Sequence, residues 1–389
     1  MHNKLIYIES IDKYYSRDEC ENLQQEYVTE LLQAGYDRTC RLAVTSDYSN
    51  IFKYRAIMKV CSVTVIDQHA SDFEKSFYDI DIWEKELPKP RYNQCQEDEV
   101  ISYCSSGSTN QHKLIPWLKH HYHYELEFSY KTQSKVTCND SSVNWLPFWS
   151  SIGQQVFNSC YDIGSTFYIL KNPLHNWPIY NPTLVVGSPT TLLKMARETG
   201  LPYTKMTVNK IRCNSAPLFT EAKKEIQNYF NCITTDCYGT AEVGSISAMT
   251  YPQKYLSVGK LNQGRTLEID TDTNEFIVDG WHTGDVGYVD EDDFIFITGR
   301  KKNIINTGGA KVMPYEIEQA LLSCGADDCI VFGNDKVYAL VVGNICIEKL
   351  NSMLTHYKRP TKIFYVDSIP KKETGKINRQ KLLDQYVTN

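Results

Sequence analysis

Residues 41–68 read RLAVTSDYSNIFKYRAIMKVCSVTVIDQ. RLAVT is a short β-prone run. SNIFKYRAIMKV carries apolar positions at helical spacing, and CSVTVID returns to β-rich composition. That order predicts a βαβ unit, and with it a parallel sheet covered by helices. The pattern recurs downstream. TLVVGS reads as a buried strand, and PTTLLKMARETG as a helix with Pro near its start and Gly at its end. KIRCNS is a further strand, LFTEAKKEIQNYF a further helix, and NCITTDCYG a strand running into a loop.

Beyond Gly244 the pattern shortens. TLEID, EFIVDG and VGYVDEDDFIFITG are brief strands separated by Asp, Asn and Gly turns, which predicts a small antiparallel sheet. VMPYEIEQALLSCG predicts a helix opened by proline. CIVFG, KVYALVVGN and KIFYVDSI come next as strands, before a basic tail. The expected fold class is α/β: a large N-terminal domain of parallel sheets with covering helices plus a small antiparallel sheet, then a small α+β C-terminal domain. The domains are expected at 1–301 and 302–389. Internal repeats and low-complexity segments are absent from the sequence.

Composition narrows the function classes. The chain has 389 residues, 42% hydrophobic and 23% charged, which suits two or three packed domains rather than disorder. Net charge is −6 with both signs interspersed, so no basic field points to nucleic acid. The N-terminal stretch has no signal-like apolar region, and no apolar run reaches membrane-spanning length. A soluble, cytoplasmic protein is expected. The thirteen cysteines are odd in number, scattered and without a C-x-x-C pair. They are expected as reduced, mostly buried thiols. His120, His121 and His123 lack a cysteine or carboxylate partner at zinc-ligand spacing, and a solvated helix face is expected there.

Four segments carry candidate chemistry. In ISYCSSGSTNQHK a strand opens into Ser105, Ser106, Gly107, Ser108 and Thr109, with Lys113 after them. Hydroxyls, free amides and a lysine make an anion cradle suited to phosphate, although such a segment also serves as a plain loop. The Walker pattern G-x-x-x-x-G-K-S/T is absent. In DCYGTAEVG, Tyr238 can stack on a base, Gly239 can admit a ligand close to the backbone, and Glu242 can hold Mg²⁺. An ordinary turn is the other reading. In the segment 280–318, Asp285 suits a pair of ribose hydroxyls, Arg300 suits a ribose or phosphate oxygen, and Gly308 and Gly309 permit close passage of a chain. In SIPKKETGKINRQKL, Lys376 follows a glycine between Ile369 and Ile377. Charge runs are commonly solvated tails, but this pattern suits a flap that presents one lysine.

Taken in this order, the four segments resemble the superfamily of acyl- and aryl-CoA synthetases, peptide-synthetase adenylation domains and luciferases. The resemblance runs over residues 41–381 and is most specific in 281–318 and in PKKETGK. It implies an enzyme that activates a carboxylic acid with ATP and Mg²⁺ as an acyl-AMP. It further implies transfer of the acyl group to the pantetheine thiol of CoA or of an acyl carrier protein. By resemblance, Ser105, Ser106, Gly107, Ser108, Thr109 and Lys113 form the phosphate loop. Tyr238 stacks on adenine within a motif that includes Gly239 and Thr240, and Glu242 binds Mg²⁺. Asp285 and Arg300 hold the ribose, Lys302 is the hinge of a mobile C-terminal domain, and Gly308 and Gly309 line a pantetheine tunnel. Lys376 bridges the attacking carboxylate and the α-phosphate. Acid-pocket walls are implied near Trp149, Ser150, Gly187 and Ser215.

The sequence also departs from the family pattern. Ala241 replaces a threonine whose hydroxyl touches the α-phosphate. Asn110 and His112 replace a glycine and a proline of the phosphate loop, and Ser150 replaces a histidine. An amino-acid-binding aspartate is missing from LPFWSSIG. Material is absent before the first βα unit and between Glu242 and Thr283, so a trimmed N-terminal domain is expected. WHTGD and INTGGAKVMPYEIE point to acyl- or aryl-CoA ligases, with a loading ligase for a separate carrier protein as the alternative. A non-catalytic nucleotide-binding relative is the third reading.

Overall fold

The computed structural model describes residues 4–105, 113–171, 173–198, 207–250, 254, 256–370 and 377–388. The chain divides into two compact units, Met1–Tyr251 and Pro252–Asn389.

The first unit opens with an antiparallel hairpin, β1 (Lys4–Ile8) and β2 (Lys13–Ser16), and with α1 (Arg17–Gln33). A reciprocal capping box between Ser16 and Glu19 fixes where α1 begins. Next, β3 (Arg41–Thr45), α2 (Ile51–Val60) and β4 (Ser62–Ile66) form the expected βαβ unit, paired in parallel from Arg41↔Ser62 to Thr45↔Ile66. After α3 (Asp72–Ser76), β5 (Glu99–Ser105) pairs parallel to β4, and β6 (Lys113–Leu118) pairs antiparallel to β5. The sheet order is β3–β4–β5–β6. Then α4 (Lys119–Tyr124) runs into a π-helical stretch, Glu125–Gln133.

The larger sheet is built from β7 (Ser141–Asn144), α5 (Ser151–Ile163), β8 (Thr166–Ile169), α6 (Pro173–Tyr180) and β9 (Leu184–Gly187). It continues through α7 (Pro189–Glu198), β10 (Lys210–Cys213), α8 (Thr220–Phe230), β11 (Ile233–Thr240) and β12 (Gly244–Thr250). Within this unit the strands run β12–β11–β10–β9–β7–β8–β1–β2. Every neighbouring pair from β11 to β1 is parallel, while β12 and β2 pair antiparallel at the ends of that run. Residues of β9 are buried throughout, as a strand covered on both faces requires. One face packs Leu192, Met195 and Ile226 of α7 and α8 against Val185 and Ile211. A second cluster unites Leu42, Ile57 and Val63 of the smaller sheet's layer with Phe157 and Phe167.

In this order lies a switch. From β7 the chain steps to β8 on one side, then returns to place β9 on the other. Crevices at such reversals, beyond the carboxyl ends of the parallel strands, are where open α/β sheets bind ligands.

The second unit contains β13 (Lys260–Leu261), then β14 (Leu267–Ile269), β15 (Glu275–Val278), β16 (Trp281–Val289) and β17 (Ile295–Arg300). The last four form the expected small antiparallel sheet in chain order. A hairpin of β18 (Ile305–Thr307) and β19 (Ala310–Val312) leads into α9 (Pro314–Ser323). Three further strands, β20 (Asp328–Phe332), β21 (Tyr338–Val342) and β22 (Lys362–Tyr365), form a sheet with α10 (Ile347–Met353) and α11 (Arg379–Leu383). The compact division at Tyr251/Pro252 falls earlier than the expected boundary at 301/302. The antiparallel sheet groups with the C-terminal elements because α9 packs against β17. Two apolar clusters nevertheless begin only at Ile305, so the C-terminal portion has cores of its own.

Candidate active site

The phosphate-loop candidate is a hairpin connection. Ser105 at the end of β5 pairs with Lys113 at the start of β6, and Lys113 is exposed. Ser106, Gly107, Ser108 and Thr109 lie outside the described residues. The stem is well packed: Tyr103 and Trp117 are buried and meet edge to face, with ring centroids 5.0 Å apart.

Tyr238, Gly239 and Thr240 are not in a loop. Strand β11 continues through them, because Thr240 pairs with Gly244 across a turn at 241–243. The hairpin itself demands Gly239: a Cβ there would lie 2.2 Å from the Gly244 carbonyl oxygen. Gly244 has φ +84, and a Cβ on it would meet Glu125 Oε1 at 2.5 Å. Two buried side chains grip this turn. Trp117 Nε1 donates to the Ala241 carbonyl at 2.8 Å, and the Ser245 N–H donates to the Glu125 carboxylate. The phosphate-loop stem and the turn carrying Glu242 are therefore tied together. Tyr238 and Glu242 are half-buried.

The acid-pocket candidates gather at one end of the large sheet. Trp149 and Ser150 follow β7, Gly187 ends β9, Ser215 follows β10, and Tyr238 lies near the end of β11. These strands are neighbours in the order β7–β9–β10–β11, and β7/β9 is the switch. Backbone bonds knit the strand ends: Trp145 N–H to the Val186 carbonyl and Asn214 N–H to the Gly187 carbonyl, both 3.0 Å. The Ser150 hydroxyl caps α5, accepting from Gly153 N–H at 3.0 Å and donating to the Pro147 carbonyl at 2.6 Å. Ser215 holds a left-handed conformation, φ +76, unusual for a serine.

In the second unit, Asp285 and Arg300 face each other across β16 and β17. Arg300 Nε donates to Asp285 Oδ1 at 2.6 Å, and its Nη2 donates to the Thr283 carbonyl at 3.0 Å. Asp285 is buried, while the Arg300 side chain is 44% exposed. Thr283 and Gly284 arch in front of Asp285, and Gly284 takes φ +74. Lys302 lies in a single 3-10 turn, Lys301–Asn303, directly after β17. Gly308 and Gly309 form the two-residue turn between β18 and β19. Both have positive φ, as a type I′ hairpin requires, and a Cβ on either would meet nothing within 4 Å.

Lys376 lies outside the described residues. Its flanks are anchored. Ile369 is buried with Ile330, Phe332, Leu340 and Leu382, and Ile377 packs against the same cluster. Beyond it, Arg379 donates to the Val331 carbonyl at 2.9 Å and to buried Glu318 at 2.8 Å.

The histidines lie on α4, where the Leu118 N–H donates to His121 Nδ1 at 3.3 Å. Among the described residues no group of three or more His, Cys, Asp or Glu side chains is placed to hold a metal ion. All thirteen cysteines are free, and only Cys138 and Cys346 are exposed. No helix among the described residues is long and apolar enough to cross a membrane.

Trp117, Glu125 and Glu275 support these sites, and sequence reasoning passes over all three. A lone acid in an aromatic run (Glu125) or at the head of an apolar strand (Glu275) is the only available hint.

This fold is that of the adenylate-forming enzymes. ATP-bound MatB from Rhodopseudomonas palustris matches with a TM-score of 0.85 over 99% of this chain and 96% of that one, at 18% identity. By sequence, the chain is related to CoA ligases and to an acyl-carrier-protein ligase. Oxalate–CoA ligase of Saccharomyces cerevisiae is 35% identical over 122 residues, 28% of this chain and 22% of the relative. Fatty acid–acyl-carrier-protein ligase ScoC of Streptomyces coeruleorubidus is 27% identical over 252 residues, 51% of this chain and 49% of the relative. The chain thus spans between about a fifth and a half of the length of these two relatives. No family profile matches it.

Proposed function

We propose that the chain is a cytoplasmic ATP-dependent acid–thiol ligase. It adenylates a carboxylic acid and passes the acyl group to a pantetheine thiol, with CoA as the first acceptor to test. The observation that carries the proposal is the Asp285–Arg300 pair, set across two strands in a fold shared with ATP-bound MatB over 99% of the chain. A buried carboxylate beside a half-exposed guanidinium offers an acceptor for ribose hydroxyls and donors for ribose or phosphate oxygens. Free thiols throughout suit a reducing compartment.

In the first step a carboxylate oxygen attacks the α-phosphorus, and the bond to the β-phosphate oxygen breaks, releasing pyrophosphate. Negative charge crowds that phosphorus, so positioning and charge stabilisation supply most of the catalysis. Lys376 is the cation assigned to the attacking carboxylate and the α-phosphate. Lys113 and the loop 105–109 hold the outer phosphates, and Tyr238 stacks on adenine beside Gly239 and Thr240. Among the described residues Glu242 is a single carboxylate without clustered ligands, a donor set that suits Mg²⁺, which favours one or two carboxylates plus phosphates and water. Mg²⁺, when bound, supplies charge neutralisation at the phosphates. The acid lies against Trp149, Ser150, Gly187 and Ser215, at the strand ends where ligands bind.

In the second step a thiol sulfur attacks the acyl carbonyl carbon and AMP leaves. Lys376 must withdraw and the thiol must enter past Gly308 and Gly309. Rotation at Lys302 of the portion with its own apolar clusters accomplishes both.

The second reading, loading of a separate acyl carrier protein, is favoured by the ScoC match, which covers more of this chain than the oxalate–CoA ligase match. Acid-dependent exchange of labelled pyrophosphate into ATP tests the proposal. Exchange with some fatty, aryl or other acid is expected; none across a broad panel favours a non-catalytic nucleotide-binding protein. Thioester assays with CoA and with carrier protein then separate the two acceptors.

A further inference from the structure

We infer that Glu275 is a positioning residue of the nucleotide site, tying the turn in front of Asp285 to the residue behind Arg300. This rests on the reading of Asp285 and Arg300 as nucleotide contacts.

Glu275 begins β15 and is 4% exposed, although its strand otherwise reads as an apolar run. Its Oε1 accepts from the Gly284 N–H at 3.1 Å. Its Oε2 accepts from Lys301 Nζ at 2.8 Å and stands 3.2 Å from His282 Nδ1. His282 and Gly284 flank Thr283, just before Asp285, and Lys301 directly follows Arg300. One carboxylate thus joins the part of β16 just before Asp285 to the residue just after Arg300.

Strand register explains why it reaches. Glu275 pairs with Val286 and Ile277 with His282, so β16 carries extra residues between those pairs. The surplus arches over Glu275, which is how bulges re-aim a side chain beside a site. Thr283 locks the arch: its hydroxyl donates to the Phe276 carbonyl at 2.8 Å and accepts from the Asp285 N–H at 3.1 Å. Asp285 is therefore aimed by a turn whose two supports are Phe276 and Glu275.

A carboxylate buried here without donors would be costly. Burial does push Glu275 up, but hydrogen bonds from Lys301, His282 and the Gly284 N–H outweigh it, and its acidity ends below the ordinary carboxylate range. The charged form is the one the site holds.

The test uses the full chain. Glu275→Gln keeps the size and removes the charge, releasing Lys301. The expected result is a KM for ATP in pyrophosphate exchange raised at least about tenfold, the scale of one charge-assisted hydrogen bond, with kcat near wild type. A merely structural residue would lower the melting temperature and leave the KM of the folded enzyme unchanged. Lys301→Met alters a side chain that is 48% exposed and keeps the test available if Glu275→Gln folds poorly; it too should raise KM. The two effects combined should be less than multiplicative, because both remove one contact. Unchanged KM in both variants, while Asp285→Asn raises it, overturns the role of Glu275 alone. An unchanged KM in Asp285→Asn, or a wild type that neither binds nor exchanges ATP, overturns the nucleotide reading and this inference with it.

Discussion

Replacing Trp117 by Phe isolates the bond between the phosphate-loop stem and the turn of Glu242. Phe keeps a ring against Tyr103 and removes only the indole N–H and part of the bicycle. The Ala241 carbonyl, 2.8 Å from Nε1, then loses this donor. Leaving this half-buried acceptor unmet costs about 1–3 kcal/mol, toward the lower end where water reaches it. Shrinking a fully buried ring adds about 1 kcal/mol for the space left behind. A loss of about 2–4 kcal/mol corresponds to a melting temperature lowered by roughly 5–15 °C for a unit of this size. Thermal unfolding by circular dichroism reads that loss. Pyrophosphate exchange at varied ATP reads the functional part, and KM for ATP should rise because the turn carrying Glu242 loses one of its two grips. A lower melting temperature with unchanged KM would show that Trp117 only packs, and would refute the coupling of stem to turn.

Three other substitutions give further expected outcomes. Gly239→Ala forces a Cβ to within 2.2 Å of the Gly244 carbonyl, so the hairpin must open; exchange should fall to background, and wild-type exchange would contradict the register. Because Glu275 titrates below the ordinary carboxylate value, its contribution to stability is full above about pH 4.3 and is lost as pH falls through its lower native value. Denaturant titrations should therefore show Glu275→Gln less stable than wild type at neutral pH, with the gap closing below about pH 4. Lys376→Ala should slow adenylation by at least roughly 10²–10³-fold, the scale for one preorganised transition-state donor. It should affect thioester formation from preformed acyl-AMP much less, and equal losses in both half-reactions would remove its assigned role.

Local pattern carried much of the fold. The βαβ unit from Arg41 to Ile66, the strands and helices from Leu184 to Thr240, and the antiparallel sheet from Leu267 to Arg300 all arise from periodicity and turn residues. The hairpin of Lys4–Ile8 and Lys13–Ser16 does not, since β1 is set in place by pairing with β8, far along the chain. Tyr238, Gly239 and Thr240 read as the start of a loop because a glycine weakens a strand. Pairing with Gly244 and Ser245 extends the strand instead, and the glycine serves a close backbone approach. Ser150 stands where a substrate contact is expected, yet its hydroxyl is occupied in starting a helix. Glu275 is the least readable of all. Its partners are His282 and Gly284, placed by the bulge in β16, and Lys301, placed by the end of β17. Charged and apolar patterning specifies elements; which buried charge serves a site depends on registers that pattern does not encode.

On the proposed reading this chain adenylates a carboxylic acid. Exchange of labelled pyrophosphate into ATP, measured across a panel of fatty, aryl and amino acids, tests it most directly. The predicted result is exchange that requires one class of acid and Mg²⁺ and is abolished in Lys376→Ala. Exchange with no acid in the panel, from enzyme that is folded and binds ATP, would contradict it.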